Sequence, residues 1–545
     1  MSRPHPVAVF VVLAALVVGG FAFAGGRIDR TAQLGPGIGK DGRPTNPFGA
    51  SEIPDASVRV PPEPALERFY TQALEWDVCQ KGYDCTSLKV PLDYAKPKGR
   101  VIELSVLRVP SSGQLGPLVV NPGGPGVSGV EFAASARQVL GKPVLRNFEI
   151  IGFDPRGTAG SAPVTCVREK DLADFYPADP DPDDPAEVAS FTRWTERMAS
   201  GCAELSGGVA GHVTTVEAAR DMDVLRAALG QERMNYYGAS YGTKLGAMYA
   251  ELFPEKVGRF ILDGGLDVTL AHEELLLGQA AGFETALRAF VDYCIKLDDC
   301  ALGDSVDAGV QRIRAFLDQG ETSPLRPYGI PLTRVHVFNA ITHSLYLRQF
   351  WPPLAEALTE AADGNGEDLL WLSANFEPLD NAKKPADNSD AAFYAIGCLD
   401  DPSAVEPADV PALVPRFEEA SPTFGRTFAW MTTSCRAWKA KAAEPAPEIR
   451  AEGAAPIIVV GTTRDPATPY EWSVTLADQL ESGVLISREG DGHTGYDVGS
   501  QCVDLAVENY LIWGEVPQDG LECQSGKVEP GKIGKIKDRD KNKPR

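Results

Sequence analysis

The chain has 545 residues, of which 43% are hydrophobic, and its formal net charge at pH 7 is -23. This length and apolar content allow a sizeable buried core, in two or three structural units or in one large domain with an insertion. The strong negative charge argues against a nucleic-acid-binding protein, because that class needs basic patches to neutralise phosphates.

The first 24 residues have the pattern of a secretory signal peptide. Arg3 precedes an apolar run that starts at Val7 and ends in Ala22-Phe23-Ala24, and these small residues fit cleavage after Ala24. We therefore expect a secreted, extracellular protein with no stable membrane insertion after signal cleavage. The alternative is attachment to the cell surface through an uncleaved anchor, because the run is about long enough to cross a bilayer.

Two further terminal segments lack the apolar periodicity of a folded core. Residues 25–64 are rich in Gly, Pro and charged residues, which indicates a flexible stalk or a pro-segment. Residues 524–545 carry many Lys and Arg with almost no apolar side chains. This composition is typical of a solvated basic tail, with attraction to an anionic cell surface as the alternative.

From Val101 onward, short apolar runs alternate with helical patterns, which is typical of a mostly parallel sheet with helices on its faces. A capping box formed by Thr214 and Glu217 starts one helix, and Gly230 provides its stop. The predicted strands cover residues 102–109, 118–121, 148–153, 234–237, 260–262 and 456–460.

The strand pattern stops between about Asp267 and Gly453. Amphipathic helical patterns replace it, for example over residues 273–294 and 310–318. We therefore expect an inserted helical cap. The predicted units are an α/β core in two parts (65–267 and 454–523) and the cap between them (268–453).

The chain has ten cysteines, an even number that fits an exported, disulfide-bonded protein. No C-x-x-C pair occurs, so a zinc ribbon or a thioredoxin-type site has little support. The simplest pairing joins sequence neighbours, since short loops close easily, although the sequence does not itself fix the connectivity. The predicted pairs are Cys79–Cys85, Cys166–Cys202, Cys294–Cys300, Cys398–Cys435 and Cys502–Cys523.

A Gly-x-Ser-x-Gly pentapeptide at residues 238–242 lies between a predicted strand and a helical segment. A serine on a sharp strand-to-helix turn must adopt strained backbone angles with its hydroxyl exposed, and small neighbours make that turn possible. Serine-containing loops also show this pattern by chance. Ser240 is therefore a candidate nucleophile that needs a base and an acid to support it.

Histidine is scarce, which narrows the choice of base. Of the six histidines, only His493 follows the last predicted strand, in the Gly-rich loop 490–496. Such a loop would let the imidazole reach a neighbouring strand end, so we predict that His493 is the base. His336 and His343 are seven residues apart and lack further ligands nearby, so they do not argue for a metal site.

The predicted acid is Asp465, which lies beyond the carboxyl end of the last predicted strand, where open α/β sheets place their sites. Asp263 and Asp491 are rival acids, and each could equally be structural. The chain order Ser240, Asp465, His493 is the order in which α/β hydrolases carry their triad.

Acyl transfer also needs hydrogen-bond donors for the oxyanion that develops on the carbonyl oxygen. Residues 121–126 read Asn-Pro-Gly-Gly-Pro-Gly directly after a strand, and these glycines let the backbone approach a substrate. We predict that the amides of Gly124 and Tyr241 form the oxyanion hole. A dinucleotide site is the competing use of such a loop, but the glycines lack the G-x-G-x-x-G spacing.

Five motifs occur in an order that one enzyme family shares. They are residues 121–126, 152–157 (Gly-Phe-Asp-Pro-Arg-Gly), 238–243, 464–469 (Arg-Asp-Pro-Ala-Thr-Pro) and 492–494 (Gly-His-Thr). From about Trp76 to Cys523 the chain resembles the secreted actinobacterial tripeptidyl aminopeptidases, which are related to prolyl aminopeptidases. Where the latter typically have His-Gly-Gly-Pro-Gly, this chain has Pro122 in the His place, which argues against close kinship with the proline-specific branch.

The resemblance implies an α/β-hydrolase fold, with a mostly parallel, doubly wound sheet and an inserted helical cap. It also implies a serine exopeptidase that acts on peptides with free N-termini. This chemistry is complete without a metal or an organic cofactor, so neither is predicted. A secreted carboxylesterase or acyl hydrolase is the alternative, because the same triad cleaves esters, whereas a non-catalytic binding domain on this scaffold would usually lack a triad member.

An aminopeptidase also needs a carboxylate for the free amine of its substrate and a wall that limits how many residues fit. We expect the cap to supply both. Glu273, Glu274, Asp400 and Asp401 are candidates, but each is better explained as a solvated surface carboxylate, so none is assigned.

Overall fold

The computed structural model describes residues 56–113, 115–168, 179–374, 388–526 and 535–536. The predicted signal peptide (1–24) lies outside these ranges, as do most of the predicted stalk and most of the basic tail. Within the described ranges no helix has the length and hydropathy that a bilayer-spanning segment requires.

One sheet organises the described residues. Its strands are β1 (Asp77–Val78), β2 (Asp84–Pro91), β3 (Val101–Val109), β4 (Pro117–Asn121), β5 (Glu149–Phe153), β6 (Met234–Ala239), β7 (Val257–Asp263), β8 (Ile457–Arg464), β9 (Gly483–Asp491), β10 (Leu521–Gln524) and β11 (Lys535–Ile536). Their spatial order is β1-β2-β3-β5-β4-β6-β7-β8-β9-β10-β11. Neighbours from β5 to β10 in that order pair in parallel, and the outer pairs are antiparallel. The predicted, mostly parallel sheet is confirmed.

The middle of the sheet is buried on both faces, which explains why its strands could be predicted from the sequence. All five residues of β4 are buried, as are the first six of β8. A strand covered on both faces reads as a continuous apolar run. Each of the six predicted strands overlaps one of the strands β3 to β8, and of these β3 alternates exposed and buried residues.

Helices cover both faces of the sheet and fill a long insert between β7 and β8. Before the insert lie α1 (Glu67–Tyr70), α2 (Gly129–Ala134), α3 (Ala136–Val139), α4 (Lys142–Asn147), α5 (Pro185–Leu205), α6 (Thr215–Ala228) and α7 (Tyr241–Leu252). The insert contains α8 (His272–Cys294), α9 (Val306–Thr322), α10 (Arg334–Tyr346), α11 (Trp351–Ala362), α12 (Glu367–Ala374), α13 (Ser389–Asp400), α14 (Val410–Ala420) and α15 (Gly425–Met431). After β8 follow α16 (Tyr470–Gln479) and α17 (Gln501–Trp513).

Two apolar clusters divide these helices between the faces of the sheet. Helices α2, α3, α4 and α17 pack in one cluster, whereas α6, α7 and α16 pack in the other, together with the insert. Helix α6 begins as predicted, because Thr214 and Glu217 form a complete capping box at its N-terminus. The doubly wound arrangement with an inserted helical cap is therefore the fold of this chain.

The five predicted disulfides are all present. Cys398–Cys435 joins the end of α13 to the segment that follows α15. Cys502–Cys523 joins α17 to β10, the strand that pairs with β9. These two bonds thus connect segments that do not pair with each other in the sheet.

The segment predicted as a stalk contacts the core where it enters the described residues. Ala56–Arg59 forms one turn of 3-10 helix, and Nη1 of Arg226 in α6 donates to the carbonyl oxygen of Val58 at 3.1 Å. The Arg59 side chain is buried and donates to the carbonyl oxygen of Thr71.

Candidate active site

Ser240 stands on the sharp turn between β6 and α7. Its backbone angles are φ 57° and ψ -125°, a strained conformation for a residue with a side chain. The flanking glycines are needed for close packing, because a Cβ on Gly238 would lie 2.4 Å from the carbonyl oxygen of Gly242. This is the strand-turn-helix setting that the pentapeptide predicts for a nucleophilic serine.

His493 lies in the loop that follows β9 and is buried. Its Nδ1 is 2.9 Å from each carboxylate oxygen of Asp465. Its backbone amide donates to the carbonyl oxygen of Tyr346 at 2.7 Å, and the Tyr346 ring packs edge-on against the imidazole. Nε2 is buried and makes no hydrogen bond to the described residues, so this atom is available to take a proton.

The Asp465 carboxylate is held in place by four donors besides His493. Oδ1 accepts from the amides of Ala467 and Thr468, both at 2.9 Å. Oδ2 accepts from the Thr468 hydroxyl at 3.0 Å and from the Thr494 amide at 3.1 Å. Thr468 was given no role in the sequence analysis, although an Asp that caps the amides two and three residues later is a recognisable turn pattern.

Neither rival acid contacts the imidazole through a hydrogen bond. Asp263 accepts from the amides of Gly495 and Tyr496, at 2.7 and 3.0 Å, and thereby shapes the loop that carries His493. Burial raises the pKa of Asp263 to about 6. Asp491 forms ion pairs with Arg464 and Arg348 instead. Of the three acids that the sequence nominated, Asp465 is the one that the structure pairs with His493.

The loop of residues 121–126 lies directly against the Ser240 turn. A Cβ on Gly123 would lie 2.9 Å from Cβ of Ser240 and 2.8 Å from the backbone nitrogen of Tyr241, so this position requires glycine. The Gly123 amide donates to Oδ1 of Asn121 at 2.9 Å and is therefore occupied. Gly124, with φ 108°, lines the same cavity as Ser240 and Tyr241.

This cavity has a volume of about 180 Å³ and lies between the sheet and the helices that cover it. Aromatic side chains form much of its wall: Phe191, Trp194, Tyr346, Phe393 and Tyr394. Phe191 and Trp194 come from α5, which precedes the nucleophile and lies outside the predicted cap. His493 lines a smaller neighbouring cavity of about 50 Å³, which Tyr346 also borders.

The other histidines named in the sequence analysis have structural surroundings. Nδ1 of His336 lies 2.7 Å from the Thr333 hydroxyl in the capping box of α10. Burial lowers the pKa of His336 to about 4 and that of His343 to about 3. Among the described residues, no group of three or more His, Cys, Asp or Glu side chains has the arrangement of a metal site.

The four carboxylates considered for substrate binding fall into two groups. Glu273 and Glu274 pair with Arg416 at the surface. Asp400 and Asp401 line the cavity, where Asp400 pairs with Lys244 at 2.9 Å. The surface interpretation therefore fits the two glutamates but not the two aspartates.

Known proteins resemble the chain over most of its length. Residues 116–316 match the family described as alpha/beta hydrolase fold, and residues 421–523 match the family described as TAP-like protein. Serine protease Hip1 of Mycobacterium tuberculosis is 35% identical over 477 residues, which cover 83% of this chain and 91% of that protein.

Two further relatives carry different functional names. Tripeptidyl aminopeptidase of Streptomyces coelicolor is 31% identical over 479 residues, which cover 84% of this chain and 87% of that protein. Carboxylesterase B of Mycobacterium tuberculosis is 34% identical over 490 residues, which cover 87% of this chain and 92% of that protein. With this fold and these relatives, the chain belongs to the α/β-hydrolase family of TAP-like proteins.

Proposed function

We propose that this α/β hydrolase is a secreted serine exopeptidase that cleaves short peptides from free N-termini. The observation that carries the proposal is the buried His493–Asp465 pair, which leaves Nε2 of His493 without a hydrogen bond to the described residues. His493 lines a small cavity together with Ala239, the residue before Ser240. A serine hydroxyl can be activated by such an imidazole because Asp465 holds the Nδ1 proton and Nε2 then accepts.

In the proposed reaction, Oγ of Ser240 attacks the scissile carbonyl carbon while its proton moves to Nε2 of His493. The amides of Gly124 and Tyr241 donate to the oxyanion that forms on the carbonyl oxygen. His493 then gives its proton to the leaving amine, and the C–N bond breaks. Water attacks the resulting Ser240 ester with the same imidazole as base, which releases the acyl product and restores the hydroxyl.

The placement of the insert supports an exopeptidase. Helices α8, α10 and α13 contribute residues to the wall of the cavity above Ser240. The end of a peptide can enter such a covered cavity, whereas the middle of a folded chain would have to pass beneath the helices.

The five disulfides support secretion, because disulfides persist mainly in oxidising compartments.

A secreted carboxylesterase is the second candidate. One relative carries that name at 34% identity, and the aromatic wall of the cavity would suit an apolar acyl group. The same nucleophile, base and oxyanion donors hydrolyse esters and amides, so the triad does not separate the two functions.

The test is hydrolysis of chromogenic tripeptide amides, with free and with acetylated N-termini, alongside a short acyl ester. The purified protein keeps its disulfides, and Ser240→Ala is the control for contaminating hydrolases. Cleavage of the free-amine tripeptides, lost in Ser240→Ala, is the expected result. Ester cleavage without any peptide cleavage would move the function to the carboxylesterase, and undiminished activity in Ser240→Ala would reject the nucleophile.

A further inference from the structure

Asp267 lies in the loop that leaves β7 and enters the insert, and this loop is fixed to the core. The Gly265 amide donates to Oγ of Ser473 at 2.9 Å, and the Leu266 amide donates to Oγ1 of Thr243 at 3.0 Å. Thr243 belongs to α7, the helix that begins directly after Ser240. The position of Asp267 is therefore set by the same elements that set the position of Ser240.

The loop also passes beside the predicted base. A Cβ on Gly264 would lie 3.2 Å from Cε1 of His493. Asp267 follows three residues later, so its Cα lies within about 11 Å of the Cα of Gly264. Asp267 and Ser240 line the same cavity.

The Asp267 carboxylate is buried without a cation. The residue is 8% exposed. Its Oδ1 accepts from the amide and the hydroxyl of Thr269, at 2.9 and 2.6 Å. Its Oδ2 has no hydrogen-bond or ion-pair partner among the described residues. Asp267 lines the cavity, so a cationic ligand there could reach this oxygen. A largely buried carboxylate gains more from such a partner than a fully hydrated one.

The other charged groups of the wall leave the cavity negative. Asp400 is paired with Lys244, and Asp401 accepts from the amides of His272 and Ser403 at 2.8 and 2.9 Å. Burial lowers the pKa of His272, so its imidazole is neutral near pH 7. Three carboxylates thus share the cavity wall with one ammonium group among the described residues, which suits a cation as the bound group.

We propose that Asp267 binds the free α-ammonium group of the peptide substrate and so selects chains with unblocked N-termini. This inference rests on the proposed function. The ammonium donates to Oδ2 of Asp267 while the scissile carbonyl lies at Ser240. Each residue of an extended peptide spans about 3.3–3.6 Å, so the distance from Asp267 to Ser240 sets how many residues are released per cut. Asp267 is a specificity-determining residue in this account, not a member of the triad.

The experiment compares Asp267→Asn with a matched control, Asp401→Asn. Both variants remove one negative charge from the same cavity wall, but the Asp401 oxygens accept from backbone amides of the protein. Each substitution is made in Ser240→Ala, and calorimetry measures the Kd of a tripeptide amide with a free or an acetylated N-terminus. In the Ser240→Ala parent we expect the free-amine peptide to bind more tightly.

We expect Asp267→Asn to weaken binding of the free-amine peptide about 30-fold or more, because a buried charge pair loses one partner. Asp401→Asn should change it less than about threefold. If thermal unfolding shows that Asp267→Asn is unfolded, Asp267→Glu replaces it, and this variant should keep the preference for the free amine because it keeps the carboxylate.

Three results would overturn the proposal: a folded Asp267→Asn that keeps the free-amine preference, an equal loss in Asp401→Asn, or a folded Asp267→Glu without the preference. Failure of the proposed function and failure of the anchor alone give different results. A wild-type protein that cleaves only the ester, with a Ser240→Ala variant that binds neither peptide, would reject both. A wild-type aminopeptidase whose preference is independent of Asp267 would reject the anchor alone.

Discussion

At the scale of single residues, the chemistry of the site depends on which ring nitrogen of His493 carries the proton. Asp465 accepts from Nδ1, so the lone pair of Nε2 is available to accept a proton. Both Asp465 oxygens already accept from amides or a hydroxyl. An amide group at this position would therefore direct an N–H at one of these donors or at Nδ1.

Asp465→Asn should lower kcat by about 1,000- to 10,000-fold, because an imidazole that accepts at Nδ1 carries its proton on Nε2 and cannot act as base. Steady-state hydrolysis of the best substrate at pH 7 measures this loss. Asp491→Asn is the matched control, since Asp491 pairs with Arg464 and Arg348, and we expect it to stay within about threefold of the wild type. A larger loss in Asp491→Asn than in Asp465→Asn would contradict the assignment of the acid.

Asp263 makes the stability of the protein depend on pH. Burial raises its pKa in the folded chain from the usual 3.8 to about 6. Between these values the native state holds a proton that the unfolded chain releases, so the contribution to stability falls as pH rises from about 4 to 6. The fall amounts to about 3 kcal/mol for a shift of about two units.

Urea unfolding of the wild type and of Asp263→Asn between pH 3.5 and 7 tests this, because asparagine does not titrate. As pH rises from about 4 to 6, the unfolding free energy of the wild type should fall by about 3 kcal/mol relative to that of Asp263→Asn. A difference that is constant with pH would show that the carboxyl group of Asp263 titrates normally.

Site residues that belong to short sequence motifs could be predicted from the sequence. Ser240 and Gly124 stand in short motifs whose backbone requirements are visible in the sequence. Asp267 could not be nominated from the sequence. What distinguishes it is a largely buried carboxylate oxygen without a partner in the described part of the chain, and this arises only in the folded chain, where the insert packs over the loop after β7. Asp400 was one of four candidate carboxylates, and its position in the cavity wall arises through tertiary packing.

At the scale of elements, the disulfide Cys398–Cys435 joins two segments of the cap at the cavity, since both cysteines line its wall. Its partners are 37 residues apart in sequence, whereas those of Cys79–Cys85 are 6 apart. On the loop-entropy account, the longer loop stabilises by about 4 kcal/mol and the shorter by about 2 kcal/mol.

Replacement of Cys398 and Cys435 by serine should therefore lower the unfolding free energy by about 4 kcal/mol and raise KM, because α13 forms part of the cavity wall. The double variant of Cys79 and Cys85 should lose about 2 kcal/mol and keep its KM. Urea unfolding and steady-state kinetics measure the two effects. An unchanged KM in the Cys398/Cys435 variant would show that this bond does not shape the cavity.

Strands were predictable where burial on both faces makes a continuous apolar run, as in β4 and β8. The strands β2, β9 and β10 were not predicted. β2 mixes exposed and buried positions, β9 continues from an apolar start into Ser487-Arg488-Glu489, and β10 has four residues. Pairing with neighbours in the sheet, rather than their own composition, defines these strands.

At the scale of the whole molecule, the parallel sheet brings distant segments to one edge. The loops after β4, β6, β7, β8 and β9 carry Gly124, Ser240, Asp267, Asp465 and His493 respectively. Open α/β sheets place their sites at the carboxyl ends of their strands. The insert then covers this edge, so that one large fold provides both the chemistry and the enclosed cavity.

The most direct test of this account is the site and rate of labelling by a fluorophosphonate, a reagent that reacts with activated serines. Peptide mapping of the labelled wild-type protein should place the label on Ser240, and His493→Ala should slow labelling at least about 1,000-fold. Label on another serine, or an undiminished rate in His493→Ala, would contradict the account of Ser240 as a nucleophile activated by His493.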